Sequence, residues 1–73
     1  MNDVRVTAFG MLKDYLSEET TVAPGQTVGE AIERLQLGTK EAIVAVVNGQ
    51  VVGWNHLLKP GDRLELVQGI GGG

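Results

Sequence analysis

The chain has 73 residues and no cysteine, and its six Lys and Arg residues against nine Asp and Glu residues give a net charge of −3. This length allows one small domain. The absence of cysteines excludes disulfide bonds and cysteine catalysis, and with His56 as the one histidine it also excludes a conventional zinc site. The acidic balance argues against nucleic-acid binding, and without a long apolar run or a signal peptide we expect a cytoplasmic protein with no membrane partner.

The first predicted element is a strand at Val4–Phe9, where apolar and polar residues alternate with period two. Spacing of apolar residues predicts a short amphipathic helix at 11–16. A β-branched segment at 20–22 predicts a second strand, and Pro24-Gly25 closes it as a turn.

The main helix has the strongest local signal in the chain. Thr27 and Glu30 have the spacing of a capping box, in which each side chain accepts a backbone N–H at the start of the helix. One face of the helix is apolar, and Gly38 is a suitable terminator. We therefore predict a helix over residues 28–36.

A β-hairpin and a last strand follow. The apolar run 43–47, the Asn48-Gly49 pair and residues 50–52 are typical of a hairpin. Segment 54–58 is predicted to be a loop anchored by large apolar side chains, with Trp54 as a packing residue. Residues 59–62 fit a type II turn, with Pro and Gly at its two central positions, and 63–67 alternates as a strand.

This order predicts an α+β domain over 1–68, in which a mixed sheet of four or five strands packs on one main helix. Both faces of segment 43–47 are apolar, which indicates that some of its residues form an exposed patch. We expect Phe9, Val67 and Ile70 to complete this patch as a docking site for a partner.

Residues 69–73 are predicted to be a flexible tail. The last three residues, Gly71, Gly72 and Gly73, have no side chains, and the terminal carboxylate of Gly73 is ionised at neutral pH. Fully extended, the five residues reach about 17 Å, so the tail could enter a narrow active site of another protein. The alternative is a frayed end without function.

The whole chain resembles the ThiS/MoaD type of sulfur carrier, which has a ubiquitin-like β-grasp fold. The resemblance rests on the strand, turn and helix at 22–35, on 45–52, and above all on 58–67, with the Gly61-Asp62 turn, running into Gly72-Gly73. Residues 11–16 are more similar to the small subunit of molybdopterin synthase, and 69–71 to the thiamine carrier. The receiving pathway therefore stays open.

The resemblance implies that the chain is a protein co-substrate and not an enzyme, and that it binds no cofactor itself. An E1-like adenylating enzyme would use ATP and Mg²⁺ to activate the Gly73 carboxylate. A sulfur donor of the cysteine desulfurase or rhodanese type would then convert this carboxylate to a thiocarboxylate. The acceptor would be a thiazole synthase or the large subunit of molybdopterin synthase, making thiamine thiazole, molybdopterin or tungstopterin.

Two other functions fit the same residues. A ubiquitin-like modifier would be joined through Gly73 to lysines of target proteins, after the same activation step. A plain β-grasp interaction module would instead have an inert tail.

Overall fold

The computed structural model describes residues 2–10, 16, 19–37 and 43–68. The elements in this part of the chain are, in order, β1 (Val4–Phe9), β2 (Thr21–Val22), α1 (Val28–Arg34), β3 (Ile43–Val47), β4 (Gln50–Val52) and β5 (Arg63–Gln68). All but one of the helices and strands predicted from sequence are present, with small differences at their ends. The predicted helix at 11–16 lies almost entirely outside the described residues, as do Gly38 and the tail at 69–73.

The strands form one mixed sheet in the order β2-β1-β5-β3-β4. β5 pairs parallel with β1 and antiparallel with β3, so that the last strand of the chain lies in the middle of the sheet. The hairpin between β3 and β4 turns at Asn48 and Gly49, whose φ angles of 51° and 87° are those of the type I′ turn that this pair favours.

The core lies between one face of this sheet and the helix. The alternation in β1 is confirmed, since Val4, Val6 and Ala8 are buried and the three residues beside them are exposed. β5 contributes two fully buried side chains, and the helix contributes its predicted apolar face; these residues are Leu64, Leu66, Val28, Ala31 and Ile32. No polar or charged residue is buried in the described part of the chain.

The start of the helix is held both by its predicted cap and by a loop that is distant in the sequence. The Glu30 N–H donates to Thr27 Oγ1 at 3.1 Å, and the Thr27 N–H donates to Glu30 Oε1 at 2.8 Å, which confirms the capping box. The next two free N–H groups, of Val28 and Gly29, donate to the carbonyls of His56 and Trp54 at 2.9 and 2.8 Å. Loop 54–58 therefore satisfies backbone donors that a helix start leaves unpaired.

The helix ends at Arg34, two residues before the predicted end. Gln36 has a φ of 56°, and its N–H donates to the carbonyl of Glu33 at 3.1 Å, while Leu37 N–H donates to that of Ile32 at 3.5 Å. This pair of bonds is a Schellman cap, and the buried Leu37 side chain completes it. The helix itself is confirmed, and its predicted end is two residues late because nothing local marks Gln36 as the residue that takes the left-handed conformation usually given to glycine.

Loop 54–58 is anchored differently from the prediction. Leu58 is buried and exchanges two 2.8 Å backbone hydrogen bonds with Gly25 and Gln26. Trp54 is 38% exposed and Leu57 is 52% exposed, so the expectation that large apolar side chains anchor the whole loop was wrong. The reason is that the loop meets the helix through its backbone: a Cβ placed on Gly29 would lie 3.3 Å from the carbonyl oxygen of Trp54. This close approach leaves Trp54 at the rim of the core.

Truncation of Ile32 tests the position of the core. Because Ile32 is 1% exposed, Ile32→Ala should lower the free energy of unfolding by about 2–5 kcal/mol. Val44→Ala, at an exposed position of β3, should change it by less than about 0.5 kcal/mol. Urea denaturation measures both. Equal losses in the two variants would show that the helix does not cover the face of the sheet assigned to it.

Candidate docking face

The face of the sheet opposite the helix carries a row of apolar side chains across three strands. Val67 of β5 lies between Phe9 of β1 and Val44 of β3, its Cα partners in the two ladders. The three side chains are 43%, 37% and 41% exposed for Phe9, Val67 and Val44. Neighbouring strands are about 4.8 Å apart, so the three form one continuous surface.

A second apolar strip extends this surface to the edge of the sheet. Val46 of β3 is half-buried, and its partner Val51 on β4 is 74% exposed. Together Phe9, Val44, Val46, Val51 and Val67 form what we call the apolar patch. Contiguous exposed apolar surface of this kind commonly marks an interaction site.

The structure places two of the three predicted docking residues side by side. Phe9 and Val67 are neighbours in the patch, and Ile70 lies outside the described residues. Val44, Val46 and Val51 were not predicted individually as docking residues. The signal was present for the first two, because both faces of segment 43–47 are apolar where a sheet covered on one side should alternate.

The tail begins at the border of the patch. β5 ends at Gln68, the residue after Val67, and residues 69–73 follow. A partner that covers Val67 is therefore in contact with the root of the tail. The predicted roles of Gly71, Gly72 and Gly73 remain predictions, since these residues lie outside the described part of the chain.

A polar network holds the other end of β5. The turn before the strand is closed by Asp62 N–H donating to the Lys59 carbonyl at 3.1 Å, and Gly61 has the φ of 83° that a type II turn needs. Asp62 Oδ2 accepts from the Lys59 N–H, and Asp62 Oδ1 accepts from Asn48 Nδ2, both at 2.9 Å. Asn48 Oδ1 in turn accepts from the Arg63 N–H at 3.0 Å. The network ties the β3–β4 turn to the start of the strand that carries the tail.

These hydrogen bonds stabilise the charged form of Asp62. The Lys59 N–H, and after it the Asn48 amide, hold the pKa of the Asp62 carboxyl below its ordinary value of 3.8, with a smaller contribution from the charge of His56. The pKa of Glu30 is lowered in the same way, first by the backbone N–H of Thr27 in the capping box.

The described residues contain no group of three or more His, Asp or Glu side chains placed to hold a metal ion. A surface depression is lined by Asn48, Gly49, Arg63 and Glu65. Within the same residues, no helix is long and apolar enough to cross a membrane.

Comparisons with known proteins identify the family of the chain and solved structures that are similar to it. The model of the ThiS family matches residues 6–73. Among solved structures, SAMP1 from Haloferax volcanii is similar with a TM-score of 0.69 and 19% identity, over 97% of this chain and 99% of that chain. Urm1 from Trypanosoma brucei is similar with a TM-score of 0.67 and 16% identity, over 99% and 96%. No curated protein matches the sequence. The two structural likenesses confirm the ubiquitin-like β-grasp fold.

Acid should weaken the network around Asp62. A group whose pKa is lowered by folding contributes stability above its ordinary pKa, and this stability is lost as the pH falls through the lower folded pKa. Asp62→Asn should therefore cost about 1 kcal/mol near neutral pH and reduce the loss of stability between about pH 5 and pH 2. Glu65→Gln, which removes a carboxylate of β5 outside this network, is the control for the loss of one negative charge. Urea denaturation over this pH range would contradict the assignment if the two variants behaved alike.

Proposed function

Because the chain belongs to the ThiS family, we propose that it is a sulfur carrier whose Gly73 carboxylate is adenylated and then converted to a thiocarboxylate. The observation that carries the proposal is the extent of the family match, which continues past the folded strands to the last residue, Gly73. The apolar patch beside the root of the tail supports it, because a carrier needs a surface that brings its terminus into another protein's active site.

In the proposed reaction the domain presents a carboxylate and takes no other part in the chemistry. An oxygen of the Gly73 carboxylate attacks the α-phosphorus of ATP, pyrophosphate leaves, and an acyl-adenylate forms. The persulfide of a sulfur donor attacks the carbonyl carbon and displaces AMP. A thiol then reduces the resulting sulfur–sulfur bond and releases the thiocarboxylate. The Mg²⁺ that accompanies ATP is held by the adenylating enzyme.

The composition of the tail suits this task. Residues 71–73 have no Cβ atoms, so they can lie in a narrow channel and take backbone angles that other residues cannot. The five residues after Gln68 reach about 17 Å when extended, which allows the carboxylate to react well away from the folded domain. The same property makes the length of the tail critical, since a misplacement of about 1 Å can cost ~100-fold in rate.

The partners follow from these steps. The E1-like enzyme must dock on the carrier while the tail is in its active site, and the apolar patch supplies the surface for this contact. Val67 lies nearest the tail, between Phe9 and Val44. We propose that Phe9 and Val67 form the centre of the contact, with Ile70 extending it. The acceptor is a synthase that consumes the thiocarboxylate, either the thiazole synthase or the molybdopterin synthase type.

Intact-protein mass spectrometry tests the proposal. With ATP, Mg²⁺, a sulfur donor and a cognate adenylating enzyme, the mass of the chain should rise by the difference between one sulfur and one oxygen atom. Deletion of Gly73 should abolish the change, because the new terminus would be about 3.5 Å short of the reacting position. The shortened chain should melt at the same temperature as the full chain.

Two results would overturn this proposal. Thiolation of the chain lacking Gly73 would show that the terminus is not the reacting group, and no thiolation of the full chain with any candidate enzyme would exclude the carrier function. Covalent joining of Gly73 to lysines of other proteins in cell extracts would indicate the modifier function instead.

Docking through the patch is tested separately by Val67→Asp. The new carboxylate would lose its hydration in the contact without a partner, so KM for the carrier in the adenylation reaction should rise at least about 10-fold. Leu57→Asp adds the same charge at an exposed apolar residue outside the patch and should leave KM within about twofold. An equal effect of the two substitutions would exclude the patch as the docking site.

A further inference from the structure

Two arginines lie side by side at the end of the open face farthest from the tail. Arg5 of β1 and Arg63 of β5 are Cα partners in the parallel ladder, and both are exposed. Because neighbouring strands are about 4.8 Å apart and both residues point to the same face, the two positive side chains extend from adjacent positions.

Neither arginine forms an ion pair with a carboxylate within the described part of the chain. Glu65 follows Arg63 by two residues on the same face of β5, and Asp3 precedes Arg5 by two residues, yet no ion pair joins either guanidinium to a described carboxylate. Like charges on directly neighbouring residues of a sheet are unfavourable. The folded chain therefore gains nothing from the pairing, whereas an anionic group bound between the two guanidinium groups would relieve the repulsion.

The distance from the patch places the pair at the edge of a normal protein contact. Four residues along each strand separate Arg5 from Phe9 and Arg63 from Val67, which is about 13 Å. One side of a standard interface covers about 800 Å², a circle with a radius of about 16 Å. A partner centred on Val67 would therefore reach both arginines.

We propose that Arg5 and Arg63 are the basic rim of the docking face and bind carboxylate side chains of the adenylating enzyme. This inference rests on the proposed carrier function. The planar guanidinium group donates two parallel hydrogen bonds to a carboxylate, which fixes the direction of approach as well as the affinity. The chain carries a net charge of −3, so an acidic partner surface would be repelled elsewhere and attracted at this pair. Contact at the arginines and at Val67 would align β5, and with it the tail, along the partner.

Neutralisation of the pair tests the inference. In the adenylation assay, the double variant Arg5→Gln/Arg63→Gln should raise KM for the carrier about 5- to 10-fold at low salt, with kcat unchanged. This increase in KM should fade at about 0.5 M salt, because the salt then screens exposed charges that are more than a few ångströms apart. The control Arg34→Gln/Lys59→Gln makes the same change in net charge at exposed residues outside the open face, and its KM should stay within about twofold of wild type. Thermal unfolding of the Arg5→Gln/Arg63→Gln protein should occur at the wild-type temperature or above it, because a like-charge contact has been removed.

The outcomes separate this inference from the carrier function. If the wild type is adenylated and the two double variants have equal KM values, the assignment of the arginine pair as a basic rim is wrong and the carrier function stands. If no enzyme adenylates the wild type, both fail. A fluorescent single-stranded oligonucleotide that binds the wild type, but not Arg5→Gln/Arg63→Gln, would assign the pair to phosphate and overturn the proposal.

Discussion

The placement of β5 between β1 and β3 is the constraint on which the rest of the structure depends. The last of the described strands is also the central one, so that one of its faces is buried and the other is largely exposed. Leu64 and Leu66 are buried in the middle of the core, and Val67 lies in the middle of the exposed patch. The terminal tail therefore follows a strand that is paired on both sides, which restricts where its root can be.

A carrier with a small core has to divide its apolar residues between stability and recognition. The helix covers one face of the sheet, and the buried residues of all the strands except β4 lie on that face with Ile32 and Val28. The valines that β3 and β4 direct to the other face add nothing to this core. Their exposure to water is unfavourable for the isolated domain. Burial of these side chains by a partner would be favourable, since burial of apolar surface drives association.

Polar contacts of the domain fix the register of β5, and so decide which of its residues are buried and which are exposed. The network of Asp62, Asn48 and Lys59 joins the turn before β5 to the hairpin of β3 and β4, and Arg5 N–H donates to the Asp62 carbonyl at 3.1 Å. The start of β5 is thus linked to both neighbouring strands, which keeps the register that places Val67 beside Phe9 and Val44. The position of the exposed apolar residues at one end of the strand depends in this way on hydrogen bonds at the other.

The sequence by itself determined the features that arise from neighbouring residues. The predictions that were correct are the alternation in β1 and β5, the capping box at Thr27 and Glu30, and the two turns. Each of these features depends on residues a few positions apart. Only the tertiary structure decided which valines of β3 face outward, that Arg5 lies beside Arg63, and that Trp54 remains at the surface. These facts depend on strand order, on register and on the backbone contact between Gly29 and Trp54. All of them join residues that are far apart in the chain, and no local pattern encodes such pairings.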